Sequence, residues 1–377
     1  MSSYCEAITN RTAETQGHIA NQTEGQGHIA SISDICLTGQ IILVLQIIYI
    51  PVIVVGSVLI IAAITLLEKL HRPHEVILYI LAIADLIIGI CWPVYIVFDL
   101  YELDLVSGLS IDRWKCSLNF YLIAVVNALA FDCLIVECVD RYLMIKTPVW
   151  YKRHVTIKTN VLVILGFVVL RLICGAAAFV DSLYNVSEEW SSRHCVHDAP
   201  FWYGWYATGA FIVGAFQTTV AYSLCAVVFF VVLKKRKNNT TAASKAKYLK
   251  EKQSVVFLAV LMFSNLLLWL PASVYLLIDG VLHLLNYEYV HKFRGIALAI
   301  RLLNSGVNAP IYAATRPVYR SAFRFLLTTP PWRWRNLQAW INKNLHLSRE
   351  NSQRMVEIQS SEVADKDTSQ SLAETNV

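Results

Sequence analysis

Residues 35–67 of this chain carry no charged side chain and end in "IILVLQIIYIPVIVVGSVLIIAAITLL". A helix needs roughly 20 apolar residues to cross a hydrocarbon core about 30 Å thick, so this run alone can span a bilayer. Comparable runs follow. Residues 76–98 hold only Asp85, Cys116 to Val139 only Asp132 and Glu137, and 159–180 only Arg171. Residues 199–233 and 253–278 hold no charge, and 295–315 hold only Arg301. Seven candidate spans result. Charged residues make up 16% of the 377, against about a quarter in soluble domains, and mean hydropathy is +0.49. The competing reading, buried helices of a soluble protein, does not suit runs this long.

Basic residues set the orientation. "EKLHRPHE", "RYLMIKTPVWYKRH", "LKKRKNNTTAASKAKYLKEK" and "RPVYRSAFR" follow spans one, three, five and seven. If the spans alternate, all four lie on one side, which is then cytoplasmic and leaves the N-terminus outside. The sequons at Asn10, Asn21 and Asn185 fall outside and are expected to be glycosylated, whereas those at Asn238 and Asn239 fall inside. No charged n-region with an apolar h-region opens the chain, so span one is expected to act as the targeting signal. Cys5, Cys36, Cys116 and Cys195 lie on the outer side, where oxidising conditions permit disulfides; the other five Cys lie within spans.

The expected organisation is an outer glycosylated tail over 1–40, a bundle over 41–315, an interfacial amphipathic segment over 316–345 and a disordered cytoplasmic tail over 346–377. The outer tail contains an imperfect repeat, "TQGHIANQT" then "GQGHIASIS", too short for a repeat architecture. Metal binding by His18 and His28 is the alternative to a flexible arm. The inner tail is rich in Ser, Thr, Asp and Glu and offers hydroxyls for phosphorylation.

Polar groups inside spans are costly and tend to mark function. Asp85 lies in "LYILAIADLII", and span three ends "VECVDRYLMI". Pro271 should kink span six, "LLLWLPASVY". Span seven holds Arg301 and "NSGVNAPIY", residues 304–312. Together these resemble the rhodopsin-like (class A) G-protein-coupled receptors across all seven spans. Cys116 precedes Arg141 by 25 residues, the family interval between its span-three Cys and the Arg of Asp-Arg-Tyr. "LAIAD", "LWLP" and the spacing of Phe211, Gly214 and Tyr222 match further family patterns, with Gly in place of a Pro. "NSGVNAPIY" matches Asn-Ser-x-x-Asn-Pro-x-x-Tyr with its Pro shifted one place, to Pro310.

The resemblance implies an all-α membrane protein: a seven-transmembrane helix bundle followed by a short amphipathic interfacial helix. It implies a G-protein switch at Asp140, Arg141, Tyr142, Glu251, Tyr222 and Tyr312, in which Arg141 pairs with Asp140 and Glu251 until span six swings outward. Trp269, Pro271, Asn308 and Pro310 form the implied activation core. Cys116 and Cys195 form the implied disulfide. Asp85, Asn304, Ser305 and Asn308 resemble the family's sodium pocket, although Ala130 replaces a Ser and Ser57 an Asn; the alternative is a hydrogen-bonded network without an ion. No other cofactor is expected.

Other residues depart from the family pattern. Span four lacks its Trp, with Val168 near that place. Asn265 replaces an aromatic, and Glu137 an aliphatic one turn before Arg141; a buried acid there should be paired or protonated. Such changes would raise basal activity or weaken coupling. Asp132 and Arg171 are expected to pair between spans three and four.

The implied ligand pocket includes Ile123, Asn127, Trp269, Tyr275 and Arg301. Ile123 occupies the position of the amine-binding Asp, which argues against a biogenic amine. Leu302 at the retinal-linking position argues against an opsin. Arg301 invites a carboxylate or peptide C-terminus, unless it has an internal partner. The outer loop "DSLYNVSEEWSSRHCVHDAPFWYGW" suits a peptide. Past span seven, "RPVYRSAFRFLL" should lie at the inner interface, with "PPWRWRNLQAW" as anchor where a palmitoylated Cys is missing. The terminal "ETNV" resembles a PDZ-domain ligand.

The reading is a plasma-membrane receptor that binds an extracellular ligand and activates a heterotrimeric G protein, with arrestin at the phosphorylated tail and no nucleic-acid partner. A non-coupling decoy or heteromer partner is the first alternative. A transporter or channel is the second, and the chain shows no inverted repeat to favour it. No nucleophile–base or metal-ligand constellation suggests an enzyme.

Overall fold

A hydrocarbon environment offers no hydrogen-bond partner to the backbone, so a spanning segment must satisfy its peptide groups internally. A computed structural model describes residues 25–102, 113–184, 204–235, 242–275, 277–278 and 287–343, and among them the regular elements are helical. The long helices are α1 (Gly25–Leu66), α2 (Pro73–Glu102), α3 (Arg113–Lys146), α5 (Ile157–Tyr184), α6 (Gly204–Lys235), α7 (Ala242–Tyr275) and α8 (Tyr287–Thr315). A short α4 (Pro148–His154) joins α3 to α5, and α9 (Pro317–Thr328) follows α8. Helix α1 is helical from Gly25, but its apolar window begins at Gln40. Pro51, Pro93, Pro271 and Pro310 lie inside α1, α2, α7 and α8, where each removes a backbone hydrogen bond.

Among the described residues, six helices are long and apolar enough to cross a membrane, not seven. The exception is α8. Its Asn304, Ser305 and Asn308 are buried inside the molecule, and α8 packs between α1 and α7. The seventh helix is therefore apolar toward its surroundings and polar toward the bundle, which lowers its average hydropathy without exposing polar groups.

Helix α3 is the central element, packing against α2, α5 and α6 and touching α7. Helices α5 and α6 are peripheral, with Leu162, Ile173, Ile212, Phe216 and Phe230 exposed as a lipid-facing surface would require. Small residues allow close approach where helices cross. A Cβ on Gly175 would lie 2.6 Å from the Tyr121 ring, and one on Gly306 would lie 2.9 Å from the Tyr49 ring. One apolar cluster fills the half of the bundle toward the N-terminal end of α3, around Trp92, Tyr95, Phe120, Ile123 and Tyr275. Another fills the opposite half around Leu78, Leu134, Phe257 and Tyr312 and extends into α9.

Candidate functional site

Near the C-terminal end of α3, Arg141 and Glu137 are one turn apart, so their side chains share a face. The Arg141 Nε donates to Glu137 Oε1 at 2.8 Å, and Nη2 lies 2.7 Å from the same oxygen. Both side chains are almost fully buried. This corrects the expected pairing of Arg141 with Asp140. Asp140 instead accepts from the Tyr151 hydroxyl at 2.8 Å and from Asn160 Nδ2 at 3.2 Å. Adjacent helical residues do not face each other, which explains the split. Burial and the neighbouring Asp140 raise the Tyr151 phenol above its ordinary pKa, keeping it a donor. The Glu251 side chain lies outside the described residues, so its expected pairing does too.

Of the other residues of the expected switch, Tyr222 and Tyr312 pack at the apolar cluster around Phe257, and Tyr142 at a smaller cluster nearby. The Tyr222 hydroxyl of α6 donates to the Met262 carbonyl of α7 at 2.6 Å. Tyr312 is buried between the rings of Phe257 and Tyr319, at 5.3 and 5.4 Å. Tyr142 packs beside Ile145, Val228 and Val255. A second polar junction has no local signature in the sequence. Glu75, in the first turn of α2, accepts from Arg316 Nη1 and from the Tyr319 hydroxyl, each at 2.6 Å. The Arg316 guanidinium also lies 4.1 Å from the centre of the Phe257 ring. Burial, with Glu75 beside it, raises the Tyr319 phenol well above its usual value. The charged residues of "EKLHRPHE" and "RPVYR" are visible in the chain, but only folding shows that they meet.

Midway along the bundle, Asn308 Nδ2 donates to Asp85 Oδ2 at 2.6 Å, and Ser305 also hydrogen-bonds that carboxylate. Asn304 accepts from Asn265 Nδ2 at 3.4 Å, a long contact. The four residues of the expected ion pocket therefore lie in one polar layer that Asn265 extends onto α7. Ala130 adds no oxygen, and an amide donor already occupies one side of the carboxylate. The expected Asp132–Arg171 pair is present as a bidentate contact at 2.7 and 2.8 Å. Gln217 Nε2 adds a third donor to Asp132 at 2.6 Å, joining α3, α5 and α6.

The residues of the expected ligand pocket lie on α3, α7 and α8. Ile123 and Asn127 are buried, and Asn127 Nδ2 donates to the Ile123 carbonyl at 2.6 Å, inside its own helix. Tyr275 is buried and packs near Phe293. The Arg301 guanidinium lies 4.3 Å from the centre of the Trp269 ring, and Trp269 meets Phe131 edge-on at 4.4 Å. Arg301 thus has an internal cation–π partner. The Trp92 and Trp269 indole N–H groups and the Asn119 amide Nδ2 are buried with no acceptor among the described residues. Cys195, Asn10, Asn21 and Asn185 lie outside the described residues, as does the Cys116 side chain, and so the expected disulfide and glycans do too.

The family model for "7 transmembrane receptor (rhodopsin family)" matches residues 56–312. The chain is 23% identical over 291 residues to trace amine-associated receptor 8 of Homo sapiens, an alignment covering 73% of this chain and 82% of that one. It is 25% identical over 286 residues to trace amine-associated receptor 5 of Homo sapiens, covering 74% and 82%. Its identity to the Mus musculus receptor of that name is 23% over 283 residues, covering 73% and 81%. With the family match running from the middle of α1 to Tyr312 near the end of α8, the chain belongs to the rhodopsin family of seven-transmembrane receptors.

Proposed function

We propose that this multi-pass membrane protein binds an extracellular ligand in its outer half and activates a heterotrimeric G protein at its inner end. The observation that carries this reading is a buried Arg141 near the C-terminal end of the central helix, held by Glu137 one turn away. Such an arrangement has two states, one with the cation inside and one with it delivered to a partner. The test is nucleotide exchange on a panel of G proteins at matched surface abundance, for the wild type and Arg141→Ala. Exchange above mock that Arg141→Ala abolishes supports coupling. Surface-expressed protein that stays silent with every G protein and every ligand offered points to the non-coupling decoy or heteromer partner instead.

We infer an acceptor-rich ligand, a carboxylate-bearing molecule or a peptide. Support comes from the buried donors of Trp92, Asn119 and Trp269, which an acceptor would satisfy. A second reading follows from the names of the relatives, which point to trace amines. An amine would need a carboxylate partner, and Ile123 supplies none at its position, but that one residue does not by itself exclude an amine. Parallel panels of carboxylates, peptides and amines separate the two: a response to amines alone removes the acceptor reading.

The remaining partners are proposals of the same kind. Arrestin would engage the phosphorylated tail, a PDZ domain the terminal "ETNV", and the plasma membrane would hold the N-terminus outside. A sodium ion would take Asp85 and the Ser305 hydroxyl, with Asn304 and Asn308 as further donors. The missing oxygen at Ala130 and the Asn308 donor at the carboxylate make the fit incomplete, and the proposed coupling at Arg141 does not depend on the ion.

A further inference from the structure

We propose that Glu137 is a positioning residue that holds Arg141 inside the bundle through a restraint within α3 itself. This rests on the reading that the inner end of α3 meets a G protein. Side chains on a helix lean toward its N-terminus, which for α3 is the outer end. Arg141 therefore folds back along its own helix, and Glu137 receives it from one turn away at 2.7–2.8 Å. The two charges are buried together, at 2% and 1% exposure.

Asp140 makes no direct ion pair with the guanidinium: its Oδ1 accepts from Tyr151 and Asn160, its Oδ2 is buried without a hydrogen-bond partner, and Asn160 is itself fixed by a bond to the Pro73 carbonyl at 3.0 Å. The residue preceding Arg141 therefore anchors α3 to α4, α5 and the start of α2, while the residue one turn back controls the cation. A latch internal to one helix is not broken when α7 moves, because neither partner lies on α7. Release requires a partner that draws Arg141 off Glu137, or loss of the Glu137 charge. An unpaired guanidinium at this depth would be driven toward the aqueous end of the helix.

Two measurements on the full chain in cell membranes test this. Phenylglyoxal labels accessible guanidinium groups, and peptide mass spectrometry reads the labelling at Arg141; nucleotide exchange reads coupling. In the wild type, Arg141 should label far less than the exposed Arg320 and Arg324. Glu137→Gln should raise labelling of Arg141 and basal exchange by about ten-fold, the change expected when a closed state loses its differential contact. Glu137→Asp, which keeps the charge, should stay near wild type, and Asp140→Asn should leave Arg141 protected. If Glu137→Gln does not reach the surface, Glu137→Leu serves the same comparison. Wild-type-like labelling in the Gln or Leu variant overturns the latch, as does strong labelling in Asp140→Asn or equal labelling of Arg141 and Arg320 in the wild type. Labelling that rises without exchange from any G protein supports the latch and removes the coupling reading.

Discussion

Asp132 sits deep in an apolar helix, yet three donors reach it. Arg171 supplies two and Gln217 one. A buried ion pair is costly to halve, because the remaining charge stays desolvated, while replacing both partners by apolar groups can be neutral or better. Asp132→Ala is therefore expected to lower stability by about 3–5 kcal/mol. Asp132→Leu combined with Arg171→Met should recover most of that loss, and melting in detergent measures both. Asn265 offers a functional counterpart. It is buried and reaches Asn304 across α7 and α8. Asn265→Phe should remove that polar link, fill the space with a ring and lower basal exchange; an unchanged or raised basal signal would separate Asn265 from the switch.

Elements meet at the junction after span seven. Helix α8 ends where Arg316 adopts an extended conformation, and Pro317, with its fixed φ, starts α9. The turn brings Arg316 and Tyr319 onto Glu75 of α2, coupling three helices through one carboxylate. Tyr319→Phe keeps the ring contacts and deletes one hydrogen bond, so it should cost about 1.5–3 kcal/mol, the range for bonds to charged groups, seen as a lower melting point. Beyond α9 the chain turns at two prolines, and the Trp334 indole donates to the carbonyls of Leu326 and Thr329 at 3.1 and 3.0 Å. These end-of-helix carbonyls otherwise lack intrahelical partners. The segment 337–343 is helical and buries Leu337 and Ile341, while Lys69 Nζ donates to Asn342 Oδ1 at 3.0 Å. Trp334→Ala is expected to speed amide exchange through 317–343 and leave α1 and α2 protected.

Among the described residues the bundle has an apolar core that also encloses polar residues such as Asp85, Asp132 and Asn308, while large apolar side chains such as Ile173 and Phe216 face outward, the arrangement a lipid solvent permits. The distribution of basic residues carries its expected orientation. Endoglycosidase treatment should shift the mobility of the wild type, and removal of Asn10, Asn21 and Asn185 together should abolish the shift. Removal of Asn238 and Asn239 should change nothing. A glycan at Asn238 or Asn239 would reverse the topology.

Composition alone determined that the chain crosses a membrane as helices, because an uncharged run of this length has no other stable use and backbone bonding inside a helix is local. The joint spacing of Cys116, Arg141, Trp269, Asn304 and Tyr312 pointed to the receptor family, since motif intervals survive in a linear chain. Even Asp132 and Arg171 could be paired in advance, being opposite charges within neighbouring spans. The tertiary structure decided what spacing cannot carry: which of several nearby partners a charge takes. Arg141 pairs with Glu137 rather than with the adjacent Asp140, because helical geometry places the residue one turn back on the same face while Asp140 Oδ1 accepts from Tyr151 and Asn160. Glu75, Arg316 and Tyr319 are more than two hundred residues apart along the chain at their widest, and no local periodicity records that they meet. Span seven shows the same division within one helix, since its polar residues disqualify it by average hydropathy and only the burial of Asn304, Ser305 and Asn308 against the bundle explains how it belongs there.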